Sequence, residues 1–204
     1  SIIYLFLLMM VMMMDRVPRA EAAPSGWLGA AESSGQSPPV QAASPEIPRY
    51  GRVAEFALEA SGGRELSSSE LKGKTWVANF FFTSCPGQCP LMNRRMSALA
   101  KELSLDILFV SFTADPERDT QEELSRYAER FGAERGRWLF IRGEKEDLNQ
   151  VARSFHMSSI DDPNLHSVRL VLIDRQGEIR GYYDPTDEES MRKLVRDAKS
   201  VHGS

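Results

Sequence analysis

Apolar and polar positions alternate in blocks from residue 51 onward, and the blocks predict strands and helices in turn. Residues 75–82 (TWVANFFF) and 107–112 are almost wholly apolar, which is typical of strands buried on both faces of a sheet. Residues 174–177 predict a turn between the last two strands, which makes them antiparallel neighbours. Strands are predicted at residues 53–58, 75–82, 107–112, 138–141, 168–173 and 178–183.

Apolar residues at helical spacing separate these strands. Pro90 suits a first helical position, and Met92, Met96, Leu99 and Leu103 continue an apolar face. Later helices are predicted with caps at the pairs Thr120/Glu123 and Thr186/Glu189, and with a further apolar face at Leu148, Val151, Ala152 and Phe155. The alternation predicts an α/β fold, with a mixed, largely parallel central sheet that carries helices on both faces.

The N-terminal fifty residues follow a different pattern. Residues 1–14 form an uninterrupted apolar run, which is shorter than the roughly 20 residues that cross a bilayer. The run fits the core of an export signal peptide or a truncated membrane anchor. Residues 15–50 contain six of the eleven prolines and no apolar period, so they predict a linker to a folded domain at residues 51–204. This arrangement places the folded domain outside the cytoplasm.

Composition excludes some classes of protein. The 204 residues suffice for one domain with a sizeable core plus extensions. The net charge is −4 without a run of Lys or Arg, so no nucleic-acid partner is expected. The chain has two cysteines, which cannot form a disulfide scaffold.

Those two cysteines, Cys85 and Cys89, lie four positions apart where a predicted strand gives way to a helix. Unpaired N–H groups at a helix N-terminus favour thiolates, and ligand sites lie at this edge of such sheets. Two neighbouring thiolates exchange with disulfides or bind a soft metal such as Cu(I) or Zn(II). An inert local disulfide is disfavoured, because structural disulfides gain most from closing long loops.

The order of elements, with a cysteine pair after a buried strand and a late hairpin, resembles the thioredoxin fold. Three motifs go further: residues 82–90 (FTSCPGQCP), residues 111–120 (SFTADPERDT) and a lone His166 ahead of a strand that ends at Asp174. Over roughly residues 51–200 the chain resembles the Sco/SenC family. Its members are membrane-tethered, thioredoxin-like copper proteins that help to assemble the copper site of cytochrome c oxidase.

The resemblance implies a copper site in which Cys85, Cys89 and His166 are the ligands and Asp115 is a nearby carboxylate. Some surroundings depart from the family pattern. Ser84 stands where many members have His, and residues 87–88 stand where an acidic residue is common. The connection from Met157 to His166 is also short. These departures remove none of the implied ligands. They change the surroundings of the site and the loops that would face a partner, and so affect which client the protein serves.

Three other functions compete with copper binding. A thiol–disulfide oxidoreductase would use Cys85 and Cys89 as its redox pair, although three residues separate them instead of the usual two. A peroxidase of this fold has Thr three residues before its reactive cysteine, where this chain has Phe82. A structural binding module would leave both cysteines without a role.

The alternative for His166 is an ordinary hydrogen-bonded histidine, since a lone His near a strand is most often that. Its place after an irregular loop, and the suitability of two thiolates plus one imidazole for copper, favour a ligand. The sequence thus predicts a copper metallochaperone, periplasmic or membrane-anchored facing the periplasm. Its expected partner is a copper-enzyme client such as an oxidase subunit. The oxidoreductase remains the alternative.

Overall fold

A computed structural model describes residues 46–157, 160 and 168–203 of the chain. The apolar run at residues 1–14 and nearly all of the predicted linker lie outside the described residues, so the export signal or anchor and the linker stay predictions. Within the described residues, no helix combines the length and apolar character needed to cross a membrane.

One seven-stranded mixed sheet organises the described part of the chain. The strands are β1 (Ala57–Ala60), β2 (Arg64–Ser67), β3 (Trp76–Phe81), β4 (Leu108–Thr113), β5 (Trp138–Arg142), β6 (Leu170–Ile173) and β7 (Ile179–Tyr183). Their order across the sheet is β2-β1-β5-β4-β3-β6-β7. Parallel pairing is confined to β3, β4 and β5, and the outer pairings are antiparallel. The mixed sheet is confirmed, whereas the expectation of a largely parallel one is wrong.

The central strands are buried on both faces, which explains their unbroken apolar sequence. Every residue of β3 is buried. Along β3, Trp76, Ala78 and Phe80 enter one hydrophobic cluster, while Val77 and Phe81 enter the cluster on the opposite face. This alternation follows from the period of two along a strand.

Helices cover both faces, as predicted. They are α1 (Gln88–Glu102), α2 (Gln121–Arg130), α3 (Lys145–Ser154) and α4 (Glu188–Gly203), with a 3-10 helix at Ser68–Leu71. Buried side chains of α1, α2 and α4 belong to the same cluster, so these three helices pack on one face. Buried side chains of α3 belong to the other cluster, together with Leu71 of the 3-10 helix. The resulting α/β architecture is thioredoxin-like.

Some predicted details are wrong at the element ends. Helix α1 begins at Gln88, so Pro90 occupies its third position and not its first. At α4 the first-turn N–H groups donate to the carboxylate of Asp187, while the Thr186 hydroxyl donates to Asp184. Strand β1 begins at Ala57, later than predicted, and its antiparallel partner β2 was not predicted at all.

Candidate functional site

Three segments of the chain meet at one edge of the sheet. Strands β3 and β4 are parallel, so the turn after Phe81 and the loop after Thr113 leave the sheet on the same side. Strand β6 is antiparallel to β3, so it starts at the edge where β3 ends. Val168, just before β6, packs partly buried in the same cluster as Phe82 and Cys85. Residues far apart in sequence therefore converge around the cysteine turn.

Both cysteines are free and close to each other at the start of α1. Cys85 lies half-buried in the turn after β3, and Cys89 is buried at the second position of the helix. No side chain caps α1 at its N-cap residue, Gly87. The Cys85 sulfur takes that place, because it accepts a hydrogen bond from the Cys89 N–H at 3.5 Å. The pair thus sits where a helix terminus stabilises negative charge.

The surroundings make the two thiols chemically different. Partial burial would raise the pKa of Cys85. The N–H groups of Cys89, Gly87 and Gln88, together with the Cys89 thiol, outweigh burial and hold that pKa below its ordinary value. The pKa of Cys89 is raised to about 12, mainly by burial and to a smaller extent by the adjacent Cys85 sulfur and the Asp119 carboxylate. Cys85 is therefore the more readily ionised thiol of the pair, and Cys89 is the protonated one.

Asp119 is a site residue that the sequence reasoning missed. Its carboxylate is fully buried, and it accepts hydrogen bonds from the Thr83 N–H at 3.2 Å, the Thr83 hydroxyl at 2.5 Å and the Thr113 hydroxyl at 2.5 Å. Burial raises the pKa of Asp119, these hydrogen bonds lower it, and the net direction is upward. The sequence did hold a signal for Asp119: it is the second aspartate of the segment 115–119. This segment follows β4, which is parallel to β3, so its residues leave the sheet at the same edge as the cysteine turn.

Asp115, the carboxylate singled out from the sequence, lies four residues earlier and faces a different partner. Its side chain is half-buried and lies 3.6 Å from Nη1 of Arg118. Its N–H donates to the Thr113 hydroxyl at 3.0 Å. Asp115 thus reaches the cysteine turn indirectly, because the same hydroxyl donates to Asp119. Its predicted place beside the metal site stays a prediction.

A buried chain of polar side chains runs behind the cysteines. Asn93 of α1 accepts a hydrogen bond from Asn79 and donates to the Tyr127 hydroxyl, each at 3.1 Å. Ser111 donates to Asn79 at 2.6 Å and accepts from Trp138 at 2.9 Å. The pKa of Tyr127 is raised to about 12, mainly by burial and to a smaller extent by the nearby cysteines. The network ties α1 to the central strands and to α2, and so fixes the helix that carries Cys89.

His166, the predicted third ligand, lies outside the described residues. The described chain resumes at Val168, which packs in the cluster that includes Cys85. Within the described residues, no group of three or more His, Cys, Asp or Glu side chains could hold a metal ion. The other two histidines lie elsewhere. His156 contacts the Tyr182 hydroxyl at 2.9 Å through Nδ1, and His202 is part of α4.

The donor set present fits two kinds of chemistry. Two neighbouring sulfurs are soft ligands and suit a thiophilic ion such as Cu(I). The same two sulfurs, one activated and one protonated, suit exchange with a disulfide. Both activities need the reduced pair, and this is the state that the structure contains.

Comparison with known proteins gives one consistent family. The family model described as SCO1/SenC matches residues 46–202. A SCO1 protein homolog of Bacillus subtilis is 26% identical over 158 residues, which cover 73% of this chain and 82% of that protein.

Solved structures agree with the sequence match. BsSco, described as a member of the Sco family of cytochrome c oxidase assembly proteins with a disulfide switch, superimposes with a TM-score of 0.67 at 25% identity. The match covers 77% of this chain and 96% of BsSco. Arabidopsis thaliana ScoI, solved with copper bound, has a TM-score of 0.63 at 22% identity over 74% of this chain and 99% of that one, and it supports the fold. On these matches and its cysteine motif, the chain belongs to the SCO1/SenC family.

Proposed function

We propose that this protein is a copper metallochaperone for the assembly of a respiratory copper enzyme. The observation that carries the proposal is a reduced pair of cysteines at the N-terminus of α1, in a chain of the SCO1/SenC family. Copper is the cargo, as the copper-bound A. thaliana ScoI and the soft sulfur donors both support.

Each proposed ligand has a separate role. Cys85 ionises more readily than an ordinary thiol because its pKa lies below the ordinary value. Cys89 has a pKa of about 12 and is therefore protonated at neutral pH. A metal ion that binds its sulfur displaces this proton. His166 is proposed to add an imidazole, because it shortly precedes β6 in the sequence and β6 starts at the edge where β3 ends. Asp115 is proposed to lie near them.

The proposed client is an oxidase subunit that acquires copper. Support comes from BsSco, which belongs to a family of cytochrome c oxidase assembly proteins. The test begins with the reduced protein carrying one equivalent of Cu(I), mixed with the soluble copper-site domain of such a subunit. After the two proteins are separated, we expect copper on the client domain. A Cys85→Ser variant should deliver none, and equal delivery by both proteins would contradict the proposal.

The protein is further proposed to work outside the cytoplasm, tethered or exported through residues 1–14. The apolar run followed by a proline-rich stretch motivates this location. Expression of the full gene followed by cell fractionation tests it. We expect the product in the membrane or periplasmic fraction, and a product confined to the cytoplasm would refute both versions.

A thiol–disulfide oxidoreductase is the second candidate, and the unequal pKa values of Cys85 and Cys89 favour it specifically. The transfer experiment separates the two candidates when the client domain is supplied with its cysteines oxidised and copper is left out. A reductase converts the client disulfide to thiols while its own pair becomes a disulfide. A metallochaperone without this activity leaves the client disulfide intact.

A further inference from the structure

We infer that Asp119 is a positioning residue that, through Thr83, holds the turn carrying Cys85 so that its sulfur meets the N-terminus of α1. Asp119 is fully buried and Thr83 lies two residues before Cys85. The copper part of this inference rests on the proposed function, whereas the part that concerns the thiols does not.

The contacts of Asp119 are concentrated on the cysteine turn. Both carboxylate oxygens accept from the Thr83 N–H at 3.2 Å, and one accepts from the Thr83 hydroxyl at 2.5 Å. The remaining contact comes from the hydroxyl of Thr113, the last residue of β4. Among the residues that the structure describes, no Lys or Arg side chain forms an ion pair with this carboxylate. A buried charge without a cation is costly, and hydrogen bonds to it are correspondingly strong.

The backbone of Asp119 is held by hydrogen bonds on the side away from the cysteine turn, so its carboxylate keeps a defined position. Its N–H donates to the Asp115 carbonyl at 2.9 Å. Arg142 of β5 donates to the carbonyl of Asp119 at 3.3 Å and to that of Pro116 at 3.2 Å. Glu59 of β1 holds the same guanidinium at 3.1 Å. The loop 115–119 is thus anchored to strands β5 and β1, away from the cysteine turn.

The link from Thr83 to the sulfur is short. The Cys85 N–H donates to the Phe82 carbonyl at 3.2 Å and closes a tight turn around Thr83. The Cys85 sulfur then lies 3.5 Å from the Cys89 N–H. Because this is a long contact and Gly87 provides no side-chain cap, a small movement of the turn would remove it. Fixing Thr83 therefore fixes the distance between the Cys85 sulfur and the helix terminus.

Two near-isosteric substitutions test the inference. Thr83→Val and Thr113→Val each remove one hydroxyl donor from the same carboxylate, but Thr83 alone lies on the cysteine turn. Thr113→Val also deprives the Asp115 N–H of its acceptor, so for the fold it is the more disruptive control. Thr83→Ser keeps the hydroxyl and serves as the rescue variant. Thermal unfolding of all four proteins records the structural cost of each change.

Two readouts are then measured on the reduced full chain. Competition with a Cu(I) chelator should give about a tenfold weaker affinity for Thr83→Val, as for other residues that orient metal ligands, and wild-type affinity for Thr113→Val and Thr83→Ser. Equilibration with a thiol buffer should shift Thr83→Val towards the disulfide, because its Cys85 sulfur loses the hydrogen bond from the Cys89 N–H and the reduced form is less stable.

The outcomes separate this inference from the proposed function. Equal effects of Thr83→Val and Thr113→Val on both readouts would overturn the inference and leave only a general stabilising role. A Thr83→Ser variant that loses copper affinity would overturn it too, even if Thr83→Val failed to fold. If the wild type bound no copper, the proposed function would fail, and the thiol equilibrium alone would decide the inference.

Discussion

At the scale of single residues, the two cysteines differ because one backbone turn places them differently. Cys85 stands outside the first turn of α1 and collects N–H groups, whereas Cys89 is inside it and only 4% exposed. Thiolate character and exposure together control the reactivity of cysteine. The unequal pair follows from the spacing of four, which lets the first sulfur cap the helix that carries the second.

Alkylation with iodoacetamide should therefore modify Cys85 and spare Cys89 at neutral pH. The pKa of Cys85 lies below its ordinary value, so its rate should rise over a lower pH range than that of a free thiol, whose pKa is about 8.5. Cys89, with a pKa of about 12, should stay protonated and unreactive throughout that range. Mass spectrometry of the modified peptides after short exposures at several pH values provides the measurement.

The matched control is the same reaction in denaturant, where both thiols should react alike because burial and the helix terminus are lost. The Cys85→Ser variant should remain unmodified under native conditions. Faster modification of Cys89 than of Cys85 in the folded protein would show that the roles assigned to the two sulfurs are reversed.

The site was predictable from the sequence to the extent that its residues are adjacent along the chain. Cys85 and Cys89 lie as predicted, at the end of a strand and the start of a helix. Which of the two aspartates in segment 115–119 reaches the cysteine turn was not predictable. That depends on how the loop folds back after β4, where the Asp119 N–H returns to the Asp115 carbonyl.

At the scale of elements, helix α1 is fixed at both ends. At its N-terminus the Cys85 sulfur accepts from the helix backbone. At its C-terminus the buried guanidinium of Arg137 donates to the carbonyls of Ala100 and Leu103, and beyond the helix to those of Ser104 and Ile107. Carbonyls at a helix end lack hydrogen-bond donors within the helix, and the planar guanidinium supplies these donors.

Replacing Arg137 by Lys should lower the free energy of unfolding by roughly 2–3 kcal/mol, because a single ammonium group cannot serve four carbonyls and leaves some buried without a partner. Urea unfolding measures the change. Arg135→Lys is the matched control, since Arg135 is exposed two residues away, and it should stay within about 0.5 kcal/mol of wild type. Equal stability of both variants would mean that Arg137 does not anchor the helix.

The elements with the strongest apolar patterns were the most predictable. The predicted bounds of strands β3 and β4 agree with the observed bounds to within one residue at each end. Both faces of these strands are buried, so their sequences are almost wholly apolar and easily recognised. Strand β2 reads RELS and has a single buried residue, Leu66, so no apolar pattern marks it. It forms because a tight turn at Gly62 and Gly63 folds it back onto β1. The cap at Asp187 was missed because Thr186 with Glu189 also matches a capping box.

At the scale of the whole molecule, the sheet topology brings the segments of the candidate site to one edge of the sheet. The parallel pair β3 and β4 brings together the cysteine turn and the loop that holds Asp119. The antiparallel strand β6 starts at the same edge, directly after the connection that contains His166. Alternation of strands and helices predicted that the cysteine pair lies at this edge, and the turn at residues 174–177 predicted that β7 pairs antiparallel with β6. The antiparallel pairings of β1 with β5 and of β3 with β6 depend instead on long-range contacts that no local pattern records.

The most direct test of the account is the copper affinity of the reduced full chain, measured by chelator competition for the wild type, His166→Asn and His156→Asn. The two substitutions are chemically identical, and an amide oxygen is a poor ligand for a soft ion. Asn also tolerates the left-handed backbone of residue 156 (φ 56°). We expect one copper per wild-type chain, unchanged binding in His156→Asn, and affinity at least about tenfold weaker in His166→Asn. Equal affinity in all three proteins would contradict the assignment of His166 and the copper site with it.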